Sequence, residues 1–204
     1  MANVFSPNGF QPVRRVDGAA WNDQVTQRLI AAANTHSFFR GDPVVALASG
    51  YIDRVAIGSI PTQGTLGIFL GCELQATSSG SPWAQSYAGV AQTVDTKAFI
   101  CFDPSVVFRC WVGTGASSAS GGPAVLADLG ANFNWQVGTG NALSGISGAY
   151  LDYASLATTN TLPLTLIGLV QDPPGVNGTD ITTAGNQVEV VLNQSALKVG
   201  TTGV

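Results

Sequence analysis

The run Lys97–Val112, KAFICFDPSVVFRCWV, constrains this chain more than any other stretch, because it is the densest concentration of large apolar side chains in the sequence. Asp103-Pro104 interrupts it near the middle. Proline fixes its own φ and drives the residue before it out of the helical region, so the pair predicts a turn. Beyond the turn the pattern alternates. Val106, Phe108, Cys110 and Val112 share one side, and Val107, Arg109 and Trp111 share the other. That period of two belongs to a half-buried strand. Before the turn, Ala98 to Phe102 are apolar without a break, which places a strand centrally in a sandwich or under another subunit. The spacing predicts a β-hairpin at the heart of an all-β domain.

Charge is scarce. Charged residues make up 10% of the chain and hydrophobic residues 45%, whereas ordinary soluble domains carry about 25% charged residues. Disorder needs the opposite balance. With 25 glycines and 10 prolines marking frequent turns, the composition is that of a compact β protein with a largely neutral surface. Such a surface is poorly protected against association, so obligate assembly is expected, with a soluble Ser/Thr-coated monomer as the alternative. The 204 residues suffice for one domain and its core. The boundaries expected are an extended N-terminal arm over 1–20 and a single β domain over 21–204.

The net charge of −4 and pI near 4.6 argue against nucleic-acid binding, as does the shortage of basic residues: there are eight, and Arg14-Arg15 is the one adjacent pair. The longest apolar run, Leu162–Val170, is far below the ~20 residues of a membrane span and contains Pro163 and Gly168. The opening MANVFSPNGFQPVRR lacks the apolar centre of a secretory signal, so the glycosylation-type triplets at Asn177 and Asn193 read as chance. Cys72, Cys101 and Cys110 are odd in number and lack metal spacing, which predicts reduced, buried thiols made in a cytoplasm. A Cys101–Cys110 disulfide would need geometry that pairs across a hairpin seldom reach.

Along the chain, Pro7, Gly9, Pro12 and Gly18 break any regular element in the arm. Its Val4, Phe5, Phe10 and Val13 nevertheless call for a surface to dock on, in this domain or a neighbour's. Trp21–Phe39 is ambiguous: Val25, Leu29 and Ala33 would line a helical face, although THSFFRGDPVVAL looks like strands around a turn. Strands are expected over Val44–Leu47, Tyr51–Ile57, Thr65–Leu74, Leu162–Val170 and Gln187–Asn193. Gly67 and Gly71 are candidate bulges or close approaches. Turns or loops are expected at Pro61–Gly64, Thr77–Pro82, Gly113–Pro123, Asn141–Asp152 and Gln171–Thr183. Trp83–Val94 reads as an irregular connection, Val125–Leu129 as one helical turn, and the tail from Lys198 as loose. Roughly eight to ten short strands without alternating helices give a sandwich, jelly roll or barrel.

Chemistry finds little to work with. His36 is the one histidine. No G-x-S-x-G elbow occurs, and Ser147 in Gly145-Ile146-Ser147-Gly148-Ala149 does not fit it. Zinc needs clustered Cys and His, calcium needs clustered carboxylates, and the acids are scattered singly. The glycine-rich loop Gly113–Gly122 lacks the lysine and the strand–helix setting of a phosphate cradle. No catalytic residue, metal or cofactor is therefore expected. Trp83, Trp111, Trp135 and Tyr150 are the aromatics available for a sugar groove, against the commoner fate of core or interface packing.

Several stretches together resemble the capsid cement, or head decoration, proteins of tailed bacteriophages, particularly the short-tailed ones. They are MANVFSPNGFQPVR with Pro7, Gly9, Phe10, Pro12 and Val13; FFRGDPVVALASGYID; LGIFLGCEL; FICFDPSVVFRC; SGISGAYLD; and LIGLVQDP. They span most of the chain in order, with Trp83–Thr96 and the loop from Gly113 matching least. The resemblance implies a jelly-roll-like antiparallel sandwich or barrel, and it tips Gln27–Phe39 towards strands. It also implies a structural virion protein, assembled in the host cytoplasm, on the outer face of the major capsid shell. Such a homodimer or homotrimer would clamp adjacent capsomers against DNA pressure through contacts that linkage makes strong. The residues expected at the protein interface are Phe5, Phe10, Arg14, Arg15 and Trp111. Removing residues 1–15 is expected to weaken shell binding and leave the fold intact. Two alternatives are a carbohydrate- or receptor-binding β module of a phage fibre or spike, and a small hydrolase that would depend on His36 or an acidic pair.

Overall fold

The computed structural model of the chain describes residues 3–54, 66–74, 83–114, 122–170, 180–195 and 197. The strands in chain order begin with β1 (Gln11–Arg15), β2 (Thr26–Ile30), β3 (Phe38–Phe39), β4 (Pro43–Ala46) and β5 (Ile52–Arg54). They continue with β6 (Leu66–Glu73), β7 (Trp83–Ala84), β8 (Ser86–Tyr87), β9 (Thr96–Cys101) and β10 (Val106–Gly113). The last four are β11 (Asn132–Gln136), β12 (Tyr150–Ala157), β13 (Leu164–Leu169) and β14 (Gln187–Leu192). Among the described residues the one helical element is a 3-10 turn, Leu126–Asp128. The all-β fold expected from the sequence is therefore the fold observed. The turn at Pro61–Gly64, the loop Thr77–Pro82, most of Gly113–Pro123, the first part of Gln171–Thr183 and the tail from Lys198 lie outside the described residues.

The first sheet has the order β1-β10-β12-β11-β13-β14, and β10 also pairs with β14. That pairing closes β10, β12, β11, β13 and β14 into a five-stranded barrel. Closure leaves no exposed edge among those strands. All its pairings are antiparallel except the short β10–β12 contact at Val112–Leu151 and Gly113–Asp152. β1 lies along the first half of β10 from Gln11–Arg109 to Arg15–Val106. The second sheet, β2-β9-β6-β4-β5, curls so that β5 returns towards β2 through a Leu29–Tyr51 bridge. β7 pairs with the end of β6, and β3 and β8 form a separate ribbon.

The two arms of KAFICFDPSVVFRCWV do form strands, but they do not pair with each other. β9 sits between β2 and β6, whereas β10 sits in the barrel. The Asp103-Pro104 turn is thus a corner that carries the chain from one sheet to the other, and the predicted hairpin is corrected. Local alternation shows that two strands flank a break. It does not show which neighbours they pair with, because pairing is decided by contacts distant in sequence. The expected sidedness of β10 holds: Val106, Phe108, Cys110 and Val112 all enter the larger core.

β6 joins the two cores. Leu66, Ile68 and Leu70 point into the larger one with Phe108, Phe133, Leu151 and Val190. Phe69 and Cys72 point into the smaller one with Ile30, Phe38, Val44, Ile52 and Ile100. Strict alternation would put Cys72 beside Leu70. The register shifts between Phe69 and Gly71 against β9, and this bulge turns Cys72 to the other side. A Cβ on Gly71 would stand 2.6 Å from Trp83 Cζ2, so glycine admits the indole there.

Residues of the N-terminal arm belong to this domain. Gly9 N–H donates to Ala149 O (3.1 Å) and Phe10 N–H to Gly41 O (3.0 Å). Phe10 is 0% exposed inside the larger core. Gly9 takes φ +76°, and a Cβ there would meet Ser147 Cβ at 2.7 Å. Pro12 is tolerated because β1 pairs on one side only.

Candidate interaction surface

Of the five residues expected at an interface, two are buried in the molecule and three are partly exposed. Phe10 and Trp111 are buried, at 0% and 4% exposure, so neither is a contact for a partner of the folded chain. Phe5 is half-buried and packs edge-on against Tyr150 and Trp111, with ring centroids 5.2 and 6.4 Å apart. Arg14 pairs with Glu189 (2.6 Å) and Arg15 with Asp103 (3.0 Å). The expectation that residues 1–15 can be removed without harm to the fold is corrected by the same contacts: the cut would delete β1 and extract Phe10. The arm's aromatics signalled docking, and the surface on which they dock is their own domain.

A sugar groove from Trp83, Trp111, Trp135 and Tyr150 does not exist as such. Trp111, Trp135 and Tyr150 are at most 4% exposed, and Trp83 alone of the four is open, at 46%. Asn193 is fully buried and donates to Leu162 O (3.0 Å), which closes it to modification. Ser147 is likewise buried. Its hydroxyl donates to Asp42 and accepts from Ala149 N–H, and Phe39 N–H donates to the second Asp42 oxygen. Burial pushes the Asp42 carboxyl above its ordinary value, against the pull of those hydrogen bonds. Gly41-Asp42-Pro43 is thus a structural knot joining the arm, β3, β4 and the loop before β12.

The three cysteines are free and buried. Burial pushes the Cys72 thiol up to about 12 and Cys101 up to about 11, and raises Cys110 still further. Thiolate chemistry is suppressed at all three. Among the described residues no cluster of three His, Cys, Asp or Glu could hold a metal, and no helix is long and apolar enough to cross a membrane.

Two clefts remain. One of about 350 Å³ includes His36, Asp53, Asn34 and Tyr51. His36 Nδ1 lies 2.8 Å from Asp53 Oδ1, and Tyr51 OH donates to Asp95 (2.9 Å). Partial burial raises the Asp53 carboxyl. The hydrogen bonds from His36, Asn34 and Arg54 N–H outweigh this and hold it below its ordinary value. The other cleft, about 380 Å³, is lined by Trp21, Asp23, Arg40, Leu70, Trp83 and Phe99, together with Val25.

The surface also displays large aliphatic side chains. Leu126 is 62% exposed, Val90 61% and Leu143 101%. Leu143 stands at the apex of the turn 142–145, whose base is braced: Asn141 Oδ1 accepts from Leu143 N–H (2.9 Å) and Ser144 N–H (3.1 Å). Gly145 N–H donates to Asn141 O, Asn141 N–H to Ile146 O, and Arg40 N–H to Gly145 O. No sequence signal marked this residue, because one leucine in a Gly/Ser-rich turn has no periodicity. Comparison with protein-family models, curated proteins and solved structures finds no match.

Proposed function

We propose that this chain is a non-catalytic virion protein that binds the outer face of a tailed phage's major capsid shell, as a dimer or trimer, and clamps neighbouring capsomers. The observation that carries this reading is Leu143, a wholly exposed aliphatic side chain held out on a braced turn. A side chain so placed gains nothing in the isolated molecule and gains apolar burial when a partner covers it. Because the turn is already ordered, little conformational entropy is lost on docking. The scarcity of charge supports the same reading, since charged residues are depleted from the centres of interfaces.

Cosedimentation of the purified chain with shells that lack it, with its mass measured by light scattering, tests the proposal. The expected result is an oligomer that pellets with shells. Leu143→Asp should weaken binding by about tenfold or more per contact, with stability within about 0.5 kcal/mol of the parent. A concentrated monomer with no affinity for shells would overturn the proposal. Wild-type binding by Leu143→Asp would remove Leu143 from it.

A further inference from the structure

We infer that the cleft between Trp21, Trp83 and Phe99 is a saccharide site, which takes one neutral pyranose ring stacked on Trp83 with its hydroxyls held by Arg40 and Asp23. The inference does not rest on the shell-binding reading. The walls come first. Trp83 is 46% exposed and packs on two sides: Phe99 lies 5.1 Å away, centroid to centroid, and the Cα of Gly71 replaces what would be a clashing side chain. The result is a packed aromatic face half open to solvent, in a cleft that the nearly buried Leu70 also lines. Such a face matches the apolar C–H side of a sugar ring and costs little side-chain entropy on binding.

The polar groups narrow the ligand. Among the described residues neither the Arg40 guanidinium nor the Asp23 carboxylate makes an ion pair or a side-chain hydrogen bond, and both line the cleft. Together they sum to zero. A charged ligand is attracted by one and repelled by the other, whereas a neutral diol accepts from the guanidinium and donates to the carboxylate. Asp23 is also the one non-glycine with positive φ among the described residues, at +57°, so its backbone is held in an uncommon conformation at the cleft. Trp21 adds an Nε1–H that is buried and meets no acceptor among the described residues. A hydroxyl oxygen entering beside it would supply one. The volume of about 380 Å³ lies at the small end of ligand sites, which run from roughly 300 to 1,000 Å³, and suits a ring or two rather than a folded partner.

Indole ¹⁵N–¹H spectra of the full chain provide the test, because the four tryptophans divide evenly. Trp21 and Trp83 line the cleft, and Trp111 and Trp135 are buried controls. The probes are neutral mono- and trisaccharides of gluco, galacto, manno and N-acetylamino configuration, with galacturonate and adenosine monophosphate as charged counterparts. The expected result is saturable movement of the Trp21 and Trp83 signals with at least one neutral saccharide, while Trp111 and Trp135 stay still. Asp23→Asn, which keeps a residue tolerant of positive φ, and Arg40→Gln should each weaken binding by about tenfold, and Trp83→Ala should abolish it. The inference is overturned by any of three results: no movement with any neutral saccharide, unchanged affinity in Asp23→Asn and Arg40→Gln, or tighter binding of a charged probe.

Discussion

Phe10→Ala asks whether the N-terminal segment is part of the core or an appendage. Phe10 is 0% exposed and packs with residues of the barrel and of β6. Truncating a buried phenylalanine loses its transfer free energy and leaves a cavity, together about 3–5 kcal/mol. In a domain of this length that corresponds to a melting point lower by about 6–20 °C. Val4→Ala is the matched control: Val4 is 55% exposed in the same segment, and its loss should stay within about 0.5 kcal/mol. Urea unfolding read by tryptophan fluorescence measures both, and an unchanged slope in each variant assigns the shift to stability rather than to a change in the unfolded chain. A Phe10→Ala cost below about 1 kcal/mol would show that the segment is not seated in solution, and the argument against a free arm would fail.

Three further outcomes follow from the packing and the buried groups. Gly71→Ala should cost about 1–3 kcal/mol and shift Trp83 fluorescence, since a Cβ would press to 2.6 Å from the indole; neutral stability with unchanged emission would contradict the packing at the bulge. Asp42 has a raised folded-state pKa. Between its ordinary value of 3.8 and that raised value the folded chain binds the extra proton, so this group makes stability fall as pH rises through the window. Asp53 and Asp103 are lowered and act in the opposite sense, below 3.8. Asp42→Asn should therefore flatten the fall in urea midpoint above 3.8, and an unaltered profile would show that the carboxyl is not the source. The thiols of Cys72, Cys101 and Cys110 should resist a maleimide in the native chain and react after denaturation; rapid native labelling would refute their burial.

What could be read in the sequence was local. Val106–Val112 announced a strand and its two sides, the glycines of LGIFLGCE announced a bulge, and Asp103-Pro104 announced a break. Partner choice is not local, so the same signal fits a hairpin and the corner between sheets that the structure contains. β11 and the run of β12 were hidden for another reason. Asn132 and Asn134 look wrong for a strand interior. They are accommodated because Asn132 Nδ2–H donates to Thr159 O, its Oδ1 accepts from Thr165 Oγ, and Asn134 N–H is met by Ser155 Oγ. Phe10 misleads for a third reason: an aromatic in an arm reports that it needs a cover, and says nothing about whose. Of the residues lining the cleft beside Phe99, Trp83 is the one that the sequence offers for a sugar groove. Asp23, Arg40 and Phe99 come from segments that meet only in three dimensions.

Because one face of β6 lines each core, the molecule has a party wall where two rooms might have had a gap between them. Leu66, Ile68 and Leu70 of this eight-residue strand pack directly on the barrel's side chains, so a displacement of the barrel presses on the curled sheet through side-chain contact. Two cores that share a wall in this way should unfold in one cooperative transition.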